Sequence, residues 1–128
     1  MTLRQDTILV IEDDEDIREA VLDTLHDQGY AAEGASGAAR GLDLLRAAEA
    51  KPALVLLDLM MPGMSGADFR AEQLQDPAIA SIPVVVLSAD VNIAARCAEL
   101  RAAGCLRKPF HIDALIAIAE RFARAGAV

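Results

Sequence analysis

The chain has 128 residues, a net charge of -8 at pH 7 and 54% hydrophobic residues; that suffices for one domain with a buried core, read here as 1–128, and leaves too little for a second of ordinary size. Its surplus of carboxylates repels phosphate backbones, which excludes direct binding of nucleic acid by this domain. The apolar residues fall in short runs broken by Gly, Pro and charge, and the polar start 1–6 lacks the layout of a secretory signal, so no membrane association and a cytoplasmic location are expected.

The first strand is expected at 8–11, where Ile and Val run without alternation, as in strands covered on both faces. An acidic run follows, and Asp14, Glu15 and Asp16 read as the start of a helix with the apolar stripe Ile17, Val21 and Leu25. A second strand is expected at 30–33, then a helix capped by Ser36 with the stripe Ala38, Leu42, Leu45 and Ala48. The third strand, 53–57, stops before Asp58; Ser65 then reads as the N-cap of an Ala-rich helical segment near 67–74. The fourth strand, 83–87, stops before Ser88 and leads to helical residues 91–102. A brief fifth strand at 105–107 precedes Lys108 and a last helix striped by Ile112, Leu115, Ile116, Ala119 and Phe122. Five strands alternating with five helices predict a doubly wound α/β domain on a parallel sheet. Residues 124–128 are too few for an output domain. Cys97 and Cys105 sit in neither a C-x-x-C nor a ligand-rich setting and read as reduced thiols, and His26 and His111 as solvated helix positions.

Open parallel sheets bind ligands beyond the carboxyl ends of their strands, where the winding reverses. The expected strand ends bring Glu12, Asp13, Asp58, Ser88 and Lys108 to one edge. Glu12, Asp13 and Asp58 would repel one another and raise each other's pKa without a counter-ion, and oxygen-only ligands point to Mg²⁺. Ser88 can donate to a phosphoryl oxygen, and Lys108 can offset its charge. The set reads as phosphoryl transfer onto a carboxylate nucleophile. Singly, each residue has a plainer explanation: a solvated acidic loop, a turn serine, a surface lysine. Asp58 resists that explanation, because an ionisable group behind four apolar residues is desolvated unless something compensates it. The combination carries the reading.

These residues also carry a family resemblance. Residues 8–14 (ILVIEDD), 57–66 (LDLMMPGMSG), 86–89 (VLSA) and 106–110 (LRKPF) stand in the order and spacing of four motifs of receiver domains from bacterial two-component response regulators, which the chain resembles over essentially its whole length. The resemblance implies a five-stranded sheet in the flavodoxin-like order 2-1-3-4-5. It implies that Asp58 is the phosphoacceptor, that Glu12 and Asp13 hold Mg²⁺ directly or through water together with Asp58 and the backbone carbonyl of Met60, and that Ser88 and Lys108 contact the phosphoryl group. The Lys108-Pro109 bond is expected to be cis. The donor would be a histidine kinase or histidine phosphotransfer protein, and the listener a downstream protein or a linked output domain. Such a domain catalyses its own phosphorylation and dephosphorylation while serving chiefly as a switch. Cys105 stands where the family usually has an aromatic residue, and Arg101 where Gly is common; both departures bear on the output, not on the acceptor chemistry.

Three other readings compete. A pseudo-receiver that binds partners without phosphorylation is opposed by the intact residue set. A haloacid-dehalogenase-like phosphatase needs a second Asp two residues after the nucleophile, where Met60 stands. A flavodoxin needs a Ser/Thr/Gly-rich loop after the first strand, where Glu12 and Asp13 would repel a flavin phosphate.

Overall fold

Strands that are buried on both faces must be apolar along their length, and the central ones here are, up to their carboxyl ends. The computed structural model describes residues 3–123. In chain order the elements are β1 Ile8–Ile11, α1 Glu15–Asp27, β2 Ala32–Ala35, α2 Ala38–Ala47, β3 Leu54–Asp58, α3 Gly66–Gln75, β4 Val84–Ser88, α4 Ile93–Glu99, β5 Gly104–Arg107 and α5 Ile112–Phe122. The strands pair in parallel in the order β2-β1-β3-β4-β5, the doubly wound, flavodoxin-like arrangement that was expected.

Strand periodicity sorts the core into two layers. Leu9, Ile11, Val55 and Leu57 pack with Leu42 and Leu45 of α2 and Phe69 of α3. Ile8, Val10, Leu54, Leu56, Leu87 and Leu106 pack with Val21 and Leu25 of α1 and Leu115 and Ala119 of α5. None of the described helices is long and apolar enough to cross a membrane. Residues 124–128, on which the expectation about an output domain falls, lie outside the described residues.

Several expected boundaries shift. The second strand starts at Ala32, not at Tyr30, because α1 ends in a Schellman turn. Gly29 takes a left-handed φ of 87°, its N–H donates to the His26 carbonyl at 3.0 Å, and Tyr30 N–H donates to the Leu25 carbonyl at 3.0 Å. Tyr30 then packs into the same core layer as Leu25, the apolar contact that accompanies this turn, and so belongs to the helix stop. Asp58 and Ser88 are the last residues of β3 and β4, each within the parallel ladder, rather than the first residues beyond. Gly37, not Ser36, precedes α2, and no side chain caps it; Ser65 does cap α3, in a reciprocal box with Asp68. Ile17 and Ile112, placed on core-facing stripes, are 37% and 60% exposed. Both sit in the first turn of their helix, which in a βα unit overhangs the carboxyl edge of the sheet.

α4 ends in a second Schellman turn with Arg101, not glycine, at the left-handed position, φ 54°. Arg101 N–H donates to Ala98 and Ala102 N–H to Cys97, at 3.1 and 3.0 Å. The buried guanidinium of Arg70 on α3 holds this turn, donating to the Leu100 and Arg101 carbonyls at 2.9 Å each and to Gln73 Oε1 at 2.8 Å. Gln73 in turn donates to the Ile79 and Ile82 carbonyls.

Candidate functional site

The carboxyl ends of β1 and β3, where the winding reverses, carry the carboxylates. Oxygens of Glu12, Asp13 and Asp58 lie within 4.8 Å of one another. Glu12 and Asp58 are 1% and 3% exposed, whereas Asp13 is exposed and leaves the cluster open to solvent on one side. Asp14 caps α1 through Ile17 N–H, and the Arg18 guanidinium donates to the Glu12 carbonyl at 2.9 Å, so the loop bearing the acidic pair is held at both ends.

Lys108 supplies the cation. It follows β5 and precedes Pro109 across a cis bond, as expected, and its Nζ lies 2.5 Å from Glu12 Oε1 and 3.5 Å from Asp58 Oδ1. Burial, together with the hydrogen bond and charge of Asp58, holds the Glu12 carboxyl above its ordinary range, and Lys108 only partly offsets this. Burial alone would lower the Lys108 ammonium, but its hydrogen bond to Glu12 and the charges of Asp58 and Glu12 outweigh it, and the net direction is up. The site therefore holds more negative charge than one lysine neutralises.

Asp58 Oδ1 also accepts from Met60 N–H at 3.2 Å, and the Met60 side chain is 75% exposed at the rim. α3 begins hard against this loop: a Cβ on Gly66 would come within 2.8 Å of the Asp58 carbonyl and of Leu59 Cα, so no larger residue fits without displacing the end of β3.

Ser88 is buried at the end of β4, and its carbonyl accepts from Lys108 N–H at 2.8 Å. Its hydroxyl oxygen accepts from Asp90 N–H at 3.1 Å, so it starts the turn into α4 rather than bonding to a carboxylate. Asp90 continues this turn by accepting from Asn92 N–H and pairing with Arg96 at 3.6 Å. The sequence reading placed Glu12, Asp13, Asp58, Ser88 and Lys108 at this edge, and all five lie there. Arg18 and Arg96 were not anticipated; each sits on an otherwise solvated helix face, and only the fold reveals its partner.

Three clustered oxygen donors fit a hard divalent cation, for which softer nitrogen or sulfur ligands would be a poorer match. Fold and site together define the class: a doubly wound α/β domain with an acidic, cation-compatible centre beside a lysine at the switch point of its sheet. Residues 8–120 match the family model of the response regulator receiver domain, and the chain belongs to that family, the receivers of two-component signal transduction. Response regulator MprA of Mycobacterium sp. strain KMS is 36% identical over 112 residues, covering 86% of this chain and 47% of that protein. The chain thus spans about half the length of the curated relatives it matches. The receiver domain of NtrX from Brucella abortus is 33% identical, with a TM-score of 0.78 over 89% of this chain and 95% of that one. Response regulator TrrA of Thermotoga maritima, solved in complex with Mg²⁺-BeF, is 25% identical, with a TM-score of 0.79 over 91% and 98% of the two chains.

Proposed function

We propose that this chain takes a phosphoryl group onto Asp58 from a phosphohistidine of a histidine kinase or phosphotransfer protein and changes conformation in response. The observation that carries the reading is the buried Asp58 beside two further carboxylates, with Lys108 Nζ 3.5 Å from its Oδ1. An Asp58 carboxylate oxygen attacks phosphorus, the phosphorus–nitrogen bond breaks, and its electron pair stays on the departing imidazole, which takes up a proton. Lys108 moves its charge from the carboxylates to the new phosphoryl oxygens, and the Ser88 hydroxyl turns its proton towards one of them, giving up its place in the turn to Asp90. Glu12, Asp13, Asp58 and the Met60 carbonyl would hold Mg²⁺, whose charge, when bound, offsets that of carboxylates and phosphoryl group together.

The donor has a docking face beside the acceptor. A cleft with an apolar rim, lined by Ile17, Ala89, Lys108, Pro109 and Phe110, borders the site, and Ile112, two residues beyond Phe110, is exposed. An amphipathic helix carrying the phosphohistidine fits such a rim, with the acidic centre excluded from contact until the phosphoryl group arrives. The output passes to a downstream protein or a linked output domain, and the net charge of -8 keeps this domain itself from binding nucleic acid directly. A cytoplasmic location matches that role.

The test is intact mass after incubation with a small phosphodonor and Mg²⁺. One phosphoryl group is expected on the wild type and none on Asp58→Asn. An equal gain in both overturns the assignment.

A further inference from the structure

The departure at Cys105 raises the question of what occupies the place of an aromatic residue on the output side. Along β5, Leu106 packs with Leu87 in the layer beneath α5 and α1, so strand alternation turns its neighbour Cys105 to the opposite face. α4 packs on β5 there, and the Schellman turn that starts at the Cys97 carbonyl folds the chain straight back into the strand. Cys97 and Cys105 are both free and half-buried, and Cys97 stands one turn after the buried Ile93, on the face of α4 that packs against the sheet. The intervening turn is held by Arg70 through two carbonyls, so little loop entropy remains to be lost in joining its ends. Packing alone asks for a small apolar residue at each position; two oxidisable sulfurs on two elements packed together add chemistry.

We propose that Cys97 and Cys105 form a redox modification site, closed to an intramolecular disulfide by a two-electron oxidant of the peroxide class. Burial and the neighbouring Cys105 push the Cys97 thiol up to about 11, which disfavours its thiolate. The Cys105 thiolate attacks one peroxide oxygen, the O–O bond breaks, and the departing hydroxide takes a proton and leaves as water, giving a sulfenic acid. The Cys97 sulfur then attacks the sulfenic sulfur, the S–O bond breaks, and a second water carries off the Cys97 proton. Two thiols and one peroxide become one disulfide and two waters. Each sulfur loses one electron, and the peroxide gains two. Resting on the function proposed above, the bridge ties the far end of α4 to β5 and restrains the helix that follows the Ser88 turn.

The whole reduced chain is treated with hydrogen peroxide and its mass read under denaturing conditions. The expected result is a monomer lighter by two hydrogens, about 2 Da, and restored by dithiothreitol. Trypsin cuts after Arg96, Arg101 and Arg107, so the bridge appears as linked peptides 97–101 and 102–107. Cys97→Ser and Cys105→Ser each abolish the loss. Oxygen addition without linkage, a dimer linked between chains, or no loss in the wild type overturns the proposal. Since this readout uses unphosphorylated protein, a bridge in a chain whose Asp58 takes no phosphoryl group would leave the site standing and remove only its signalling consequence.

Discussion

Lys108→Ala isolates the charge imbalance at the centre of the site. In the wild type, Lys108 is the ammonium within reach of both buried carboxylates, at 2.5 Å from Glu12 and 3.5 Å from Asp58. Breaking a fully buried ion pair costs about 3–5 kcal/mol, because the remaining charge is left without a partner. Here the Lys108 side chain keeps 19% exposure and the neighbouring Asp13 is exposed, so water screens part of the loss and about 2 kcal/mol is expected at pH 7.5. The sign with pH follows from Glu12. Its folded pKa is raised above 4.5, so its ionised form opposes folding, and protonation as pH falls through the raised value returns stability. The lysine itself contributes fully below 10.5, its unfolded value, and loses that contribution only as pH rises through its raised folded value. Urea unfolding of wild type and Lys108→Ala at pH 7.5 and pH 5, with and without millimolar Mg²⁺, reads the effect. The deficit should shrink at pH 5 and shrink again with Mg²⁺, which occupies the carboxylates in place of the ammonium. A deficit unchanged by both would mean that the methylene stem, and not the charge, is what the fold uses.

Asp13→Asn should weaken Mg²⁺ binding about tenfold or more in a calorimetric titration while leaving stability within about 0.5 kcal/mol, since Asp13 is exposed; unchanged affinity would remove it from the ligand set. Arg70→Met should lose about 2 kcal/mol in urea unfolding, because the Leu100 and Arg101 carbonyls lose a charged donor; a variant as stable as the wild type would show that water replaces it. Arg101→Gly should gain about 0.5–1 kcal/mol by relieving the left-handed backbone at φ 54°, and a loss would mean that the arginine side chain outweighs the strain. Met60→Asn should speed decay of phosphorylated Asp58, because the thioether crowds the path of an in-line water while the amide can orient one; faster decay in the wild type, followed by intact mass with Mg²⁺ present, would refute that role.

The carboxylate-bearing edge of the molecule was legible in its sequence because each part of it is local. β1, β3 and β4 are apolar on both faces, so they announce themselves as unbroken runs, and in a parallel sheet the residue at the end of each run stands at the ligand edge by construction. Boundaries were less legible where a partner decides them. Asp58 joins β3 because Leu87 pairs with it, and Tyr30 leaves β2 because the carbonyl of Leu25 takes its N–H. Ser36 was a sound N-cap by type, yet the chain enters α2 through Gly37 with no side-chain bond. On α3 the buried Arg70 and Gln73 contradict the ordinary preference of such residues for solvent, so no pattern could mark them.

The side formed by α3, α4 and β5 is written in pairs that are distant along the chain, and this is why it was not legible. Arg101 looks like a plain departure from glycine until Arg70, 31 residues earlier, is seen donating to its carbonyl. The strained turn and the buried cation then explain each other: the left-handed residue presents its carbonyl to the guanidinium, and the guanidinium, which has carbonyls and an amide but no carboxylate within its hydrogen bonds, is held by that turn. Burial and the nearby charge of Arg101 both lower the Arg70 pKa, so the contact carries an electrostatic cost that its three hydrogen bonds must offset. α3 begins against the Asp58 loop and α4 ends on Arg70, so hydrogen bonds join α3 to the C-terminus of α4, while the Ser88 turn leads into its N-terminus. α4 is thereby tied at both ends to elements that carry the site, and neither tie involves position 105.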